Sequence, residues 1–197
     1  MKKLLITGFD PFNGNTVNPS WQAAEALPDT VGGYELRKMQ LPTVYGEAAQ
    51  MVIAAAGEWK PDVILCLGLA GGRGAVTPER VGINIRSASI PDNAGQQFTD
   101  APIAPDGPAA YFSTLPVTAM AQAIRDAGLP GMVSNTAGTY VCNDVLYTLL
   151  HHFAGTNTRV GFIHVPYLPG QGEPSLALED TVTALQAAIC AVDGGKL

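Results

Sequence analysis

The sequence predicts an α/β protein, a three-layer α/β/α sandwich whose twisted sheet is mostly parallel. Three observations carry this. Short apolar runs of strand length alternate with stretches whose apolar residues recur at helical spacing. One run, Asp62-Val-Ile-Leu-Cys-Leu67, is apolar almost throughout, the pattern of a central parallel strand. Hydrophobic residues make up 47% of the 197 positions and charged residues only 14%, so a large core is available to a single domain spanning residues 1–197, with apolar excess left for a subunit interface.

The elements follow in order. Residues 3–7 form a short apolar strand, and a Gly/Pro/Asn-rich loop runs from it to Pro19. Ser20 is placed to cap a helix over 21–27. Residues 34–40 alternate as a strand, and 44–59 have helical spacing with Ala48, Met51, Val52 and Ala55 on one face. After the strand at 62–67 comes a glycine-rich loop, Gly68-Leu-Ala-Gly71-Gly72-Arg-Gly74, and then an alternating strand at 81–86. Residues 90–108 hold four prolines and read as a long ordered loop. A helix is expected over 117–127, a short strand over 132–134, a helix over 140–153, a strand over 159–165 and a closing amphipathic helix over 175–192.

Charge and composition narrow the function. The formal net charge is −6 and the eleven Lys and Arg are scattered, which argues against nucleic acid or an anionic membrane surface as partner. The opening Met1-Lys-Lys-Leu-Leu-Ile6 ends at Thr7-Gly8, too short for the apolar region of a secretion signal, and a buried first strand explains it better. No run reaches the roughly 20 apolar residues of a membrane span. A cytoplasmic location is therefore expected. Three widely spaced cysteines, Cys66, Cys142 and Cys190, do not suit a disulfide framework or a zinc site, and no metal or cofactor is called for.

Among the cysteines, Cys66 lies inside the apolar strand and Cys190 on the closing helix, both better read as packing. Cys142 follows the small, polar segment Ser134-Asn-Thr-Ala-Gly138-Thr-Tyr-Val and opens a helix whose face carries Val145, Leu146, Leu149 and Phe153. A first-turn position favours a thiolate, and the free N–H groups there could hold an oxyanion. His151 and His152 lie nine and ten residues further along that helix, about 13–15 Å away, and cannot reach the sulfur. His164 ends the 159–165 strand. In a parallel sheet that strand and the one preceding the Cys142 helix finish at the same edge, which brings the two residues together by connectivity. A third group should fix the imidazole tautomer. Glu79, Asp92, Asn93 and Asp144 are all open to this role, with Glu79 just beyond the glycine loop at the end of another central strand.

These residues resemble the pyroglutamyl peptidase I family (pyrrolidone carboxyl peptidases) along nearly the whole chain. Ser134-Asn-Thr-Ala-Gly-Thr-Tyr-Val-Cys142-Asn143 is similar to the signature around the family's catalytic cysteine. Gly68-Leu-Ala-Gly71 with Val76-Thr-Pro-Glu79-Arg-Val81 is similar to that around its glutamate. Thr7-Gly-Phe9-Asp-Pro-Phe12, Val17-Asn-Pro-Ser-Trp21, Ile90-Pro-Asp-Asn93 and His164-Val-Pro match as well. The resemblance implies a phosphorylase/hydrolase-like fold and a cytosolic, cofactor-free peptidase, often tetrameric. It makes Cys142 the nucleophile, His164 the base and Glu79 its orienter, with a ring pocket at Phe9, Phe12, Thr43, Leu69, Ile90, Tyr140 and Val141. Three positions depart from it: Gly82 replaces a usual alanine, Leu69 a common glutamine, and Ser89 an arginine suggested to aid the oxyanion site.

The expected reaction is release of an N-terminal pyroglutamyl residue from peptides through a thioester. The sequence leaves two other readings open. A nucleoside phosphorylase would use Gly71-Gly72-Arg73-Gly74 for phosphate, but GxxxxGK[ST] is absent and the loop runs into Thr-Pro-Glu-Arg rather than a helix. A non-catalytic peptide-binding module would leave Cys142 as packing.

Overall fold

The computed structural model describes residues 1–195; Lys196 and Leu197, the end of the expected 1–197 domain, lie outside the described residues. Strand β1 (Lys2–Phe9) is buried from Leu4 onward. Helix α1 (Pro19–Ala26) leads to a hairpin of β2 (Thr30–Val31) and β3 (Tyr34–Leu41), and α2 (Glu47–Trp59) leads to β4 (Val63–Leu69). There follow β5 (Thr77–Pro78), a ribbon of β6 (Val81–Ile83) and β7 (Ala110–Phe112), α3 (Val117–Asp126), α4 (Val141–His152), β8 (Arg159–Val165) and α5 (Leu178–Cys190).

The main sheet has the order β2-β3-β1-β4-β8-β5. Its four long strands are parallel, and the two-residue strands at its edges run antiparallel. Successive side chains of a strand face opposite ways, so each buried strand feeds two cores. Leu5, Ile64, Cys66, Val160 and Phe162 pack with α2 and α4, while Leu4, Ile6, Leu65, Leu67, Ile163 and Val165 pack with α1, α3 and α5. Each such side chain contributes roughly 1.5–3 kcal/mol through burial, which explains why the 62–67 run carries almost no polar residue. The result is the expected three-layer α/β/α sandwich, with five α-helices among the described residues.

Connectivity creates the crevice. From β1 the chain passes through α1 to β3 on one side, then returns through α2 to β4 on the other side of β1. Loops leaving β1 and β4 therefore diverge, and a space opens beyond their carboxyl ends.

Several expectations need correction. Asn18, not Ser20, caps α1: its side chain accepts from Ser20 N, and Pro19 fills the first helical position, where no N–H is needed. Ser20 instead accepts from Phe9 N at 3.0 Å. On α2 the buried face is Ala48, Ala49, Val52 and Ala56, and Met51 is exposed. The strand at 81–86 stops at Ile83, because the Asn84 side chain accepts from Ile103 N and Ala104 N and so starts a loop. It pairs with β7, outside the main sheet. Residues 132–134 form no strand; the segment makes isolated parallel bridges, Val76 with Gly131 and Glu79 with Ser134. The closing helix begins at Leu178, three residues after the expected start.

The proline-rich segment 90–108 is pinned over α2 and α4. Asp92 is buried and accepts from Tyr45 N, Ala94 N and Gln96 N. Buried Asp144 on α4 bonds Arg86 Nε at 2.6 Å and Gly46 N at 2.8 Å, and the Arg86 guanidinium lies over the rings of Tyr45 and Phe98. Removing one partner of a largely buried ion pair costs more than the pair itself contributes, because the other charge is stranded. Asp144→Ala should lower stability by about 3 kcal/mol, read as a reduced urea midpoint with an unchanged m-value.

Candidate active site

The site is built from four chain segments that end at the carboxyl rim of the sheet. The first is the end of β1. Gly8 carries no Cβ because one would lie 2.5 Å from Trp21 Cα, so the amino end of α1 rests directly on the strand. The loop beyond is drawn inward by Asp10, whose Oδ1 accepts from Thr43 N and Thr43 Oγ1, both at 2.7 Å, and from Asn93 Nδ2 at 3.1 Å. This sets Phe12 against Tyr140, with ring centroids 6.0 Å apart, while Phe9 packs on Phe162.

The second and third segments are the ends of β4 and β8. Their pairing places Gly68 beside His164. A Cβ on Gly68 would lie 2.9 Å from Cys142 Sγ and 2.8 Å from the Phe162 ring. The sulfur therefore occupies the space a side chain would need on the strand next to the histidine. Helix α4 is the fourth segment. Tyr140 is its N-cap, no side chain caps it, and Cys142 is in its first turn, so N–H groups near the sulfur are left for another acceptor.

Cys142 and His164 line one cavity of about 230 Å³. Phe9, Phe12, Thr43, Leu69, Tyr140 and Val141 line it too, along with Asn18, Ala70, Gly71, Arg73, Ala137 and Gly138. Ile90 is the one expected pocket residue not in the lining. Its neighbour Pro91 accepts from Tyr140 Oη at 3.0 Å, which ties the segment to the outer side of that ring. Ser89 is exposed and also lies outside the lining.

Of the four carboxylates and amides open to orient His164, only Glu79 meets it, with Oε1 2.7 Å from Nδ1. Asp92 and Asp144 are committed as described, and Asn93 donates to Asp10 and Pro11 O. Glu79 does not end a central strand. It follows the edge strand β5, and its N–H donates to Phe162 O at 2.8 Å. His151 and His152 sit at the far end of α4, where His151 meets Tyr111 Oη at 2.9 Å.

The electrostatics are those of a buried site. Burial alone would raise the Glu79 pKa; the bond from His164, its charge, and bonds from Ser134 and Arg73 outweigh it and hold the carboxyl below its ordinary value. The ionised carboxylate accepts, so Nδ1 carries the proton and Nε2 is left as the basic nitrogen. Burial lowers the His164 pKa, opposed by the bond to Glu79 and its charge. Burial also pushes the Cys142 thiol up to about 12, with the Glu79 charge adding to it and Arg73 opposing. Burial therefore works against the helix start at Cys142 and favours the thiol form. Cys66, fully buried, is pushed up to about 12 as well, as its place in an apolar strand requires.

Comparison with known proteins decides the family. The pyroglutamyl peptidase family model matches residues 2–194. The chain belongs to the pyroglutamyl peptidase family. Its members are cysteine-type peptidases that remove N-terminal pyroglutamate. A pyrrolidone-carboxylate peptidase of Levilactobacillus brevis is 53% identical over 96% of this chain and 97% of its own. Pyroglutamyl peptidase I of Bacillus amyloliquefaciens superposes with a TM-score of 0.94 at 42% identity, covering 98% of this chain and 97% of that one. The pyrrolidone carboxyl peptidase of Thermococcus litoralis gives 0.92 at 39% identity, covering 98% and 94%. Membership sets aside the nucleoside phosphorylase and the non-catalytic binding module.

Sequence reasoning missed Asn18 and Arg73 in the lining of this peptidase. Asn18 could have been read from Asn-Pro-Ser, in which proline suits the first helical position and the residue before it the cap. Gly68 offers a direct check of the geometry. Gly68→Ala should fold, with its methyl group displacing the sulfur, and turnover of a pyroglutamyl amide should fall by about a hundredfold.

Proposed function

We propose that this protein removes pyroglutamate from peptide N-termini with Cys142 as nucleophile, His164 as base and Glu79 as the residue orienting it. The observation that carries the reading is the 2.7 Å contact of Glu79 with His164 Nδ1, which turns Nε2 toward a cavity shared with the Cys142 sulfur. As the sulfur attacks the pyroglutamyl carbonyl carbon, the thiol proton passes to Nε2 and a C–S bond forms. Free N–H groups of the first turn of α4 receive the oxyanion, each worth roughly 3–4 kcal/mol. The tetrahedral carbon collapses, the C–N bond breaks, and the leaving amine takes the proton from Nε2. Water then attacks the thioester, giving a proton to His164, and the C–S bond breaks as that proton returns to sulfur. Every group required is a side chain or backbone group of the protein, so the proposal needs no metal or cofactor.

Specificity follows from the lining. Phe9, Phe12, Tyr140 and Val141 offer apolar walls to a flat lactam ring, with Thr43 at its edge and Leu69 meeting it through the backbone. Among the described residues, the lining holds no carboxylate and carries the Arg73 cation. A free N-terminal ammonium would lose water there without a counter-charge. Pyroglutamate has no such charge. We extend the proposal to a cytoplasmic homotetramer: exposed Phe112 and Met132 are apolar surface that such an assembly would cover. Among the described residues, no helix is long and apolar enough to cross a membrane.

Cys142→Ser and His164→Ala should each reduce release of a pyroglutamyl-linked chromophore at least about a thousandfold while circular dichroism stays native. Retained activity in either overturns the assignment. The corresponding prolyl and glutamyl amides should turn over at least about a hundredfold more slowly than the pyroglutamyl amide, and equal rates would remove the argument from the lining.

A further inference from the structure

The guanidinium of Arg73 reaches four partners around Glu79. Nη1 is 2.7 Å from Glu79 Oε1, 3.0 Å from Thr77 Oγ1 and 3.2 Å from Ser134 Oγ, and Nη2 donates to Thr136 O at 2.8 Å. Thr77 and Glu79 belong to the arm that brings the acid, whereas Ser134 and Thr136 belong to the arm that leads into α4 and the thiol. A planar, rigid fork of donors joins the two. The side chain is only 29% exposed, so its charge is screened less than that of a surface arginine.

Glu79 itself is fully buried and is held in an unusual way. His164 Nδ1 and Arg73 Nη1 converge on Oε1, and Oε2 has no partner. Arg73 already answers the negative charge of Glu79, so a proton on the imidazole gains less from that carboxylate than it would from an unpaired one.

We propose that Arg73 is a positioning residue of this peptidase, which fixes the Glu79 carboxylate against His164 Nδ1 and sets its own positive charge on the same carboxylate oxygen. The proposal rests on the assignment of Cys142, His164 and Glu79 made above. Glu79 and Arg73 are the charged groups that face His164; the Cys142 thiol comes from α4, with the Cys66 thiol behind it on β4. Further out, beyond the sulfur, lie Tyr140 and Asp10. Arg73 is the one cation in this set. It adds to the lowering of the His164 pKa that burial causes, against the pull of Glu79.

Two variants separate charge from geometry. Arg73→Gln keeps hydrogen-bonding capacity and removes the charge, whereas Arg73→Lys keeps the charge and loses the fork. For Arg73→Gln, the acidic limb of kcat/KM on a pyroglutamyl amide should move to higher pH by about one unit, since imidazolium is no longer opposed by a cation. Its kcat should fall at least about tenfold with KM within about threefold, because the residue acts through Glu79 rather than on the ring. For Arg73→Lys, the limb should stay within about 0.3 unit of wild type while kcat falls. An unmoved limb in Arg73→Gln overturns the proposal, as does a limb in Arg73→Lys that moves as far as in the glutamine variant. Should Arg73→Gln fail to fold, Arg73→Lys decides alone, and an unchanged kcat refutes the positioning role. Glu79→Gln, measured alongside, distinguishes the two levels of argument. Full activity in that variant removes the underlying assignment, whereas an inactive Glu79→Gln with wild-type behaviour at Arg73 removes only this proposal.

Discussion

The parallel pairing of β4 with β8 is the constraint from which the site follows. In register, Gly68 stands beside His164, and the missing side chain on Gly68 is the room in which the Cys142 sulfur sits. A slip of one residue would turn every side chain of β8 to the opposite face. Phe162 and His164 would then face α1 and α5 instead of α4. Both faces of β8 are apolar, so size rather than polarity forbids that slip: a Cβ at Gly161 would lie 2.5 Å from Leu115, and a slip would put Val160 or Phe162 there. The close packing that stabilises the sheet therefore also fixes which residues of β8 face Cys142.

The second layer of control is electrostatic. A buried carboxylate is costly unless it is paired, and Glu79 is paired twice, with His164 and with Arg73. Cys142, His164 and Glu79 lie on separate elements, so the energy of the buried pair also holds those elements together. Burial at the same time favours the protonated thiol of Cys142, with Arg73 opposing it.

Much of this was legible in the chain. The apolar run at 62–67, the helical face following Cys142 and the strand ending at His164 were enough to place Cys142 and His164 on one rim, because parallel connectivity determines which ends coincide. Choosing Glu79 from spacing alone was beyond reach: it follows a two-residue edge strand, and so short a strand has no periodicity to read. The expected strand at 132–134 led to the right rim although that segment makes only isolated bridges. Arg73 was read as part of a glycine loop. Its partners Ser134 and Thr136 lie some sixty residues away in the chain, a contact that local pattern does not encode. Ile90 was carried over from a family motif, and its place outside the lining reflects how Pro91 is tied to Tyr140.

Asp10 gathers the outer wall of the cavity. Asp10 Oδ1 accepts three donors, two from Thr43 and one from Asn93, and so fastens the turn after β1, the turn before α2 and the proline-rich excursion to one another. Segments that share one anchor come loose together. Entry and exit of substrate past this wall should accordingly behave as a latch, shut or released as a piece, and not as a set of independently fraying strands of chain.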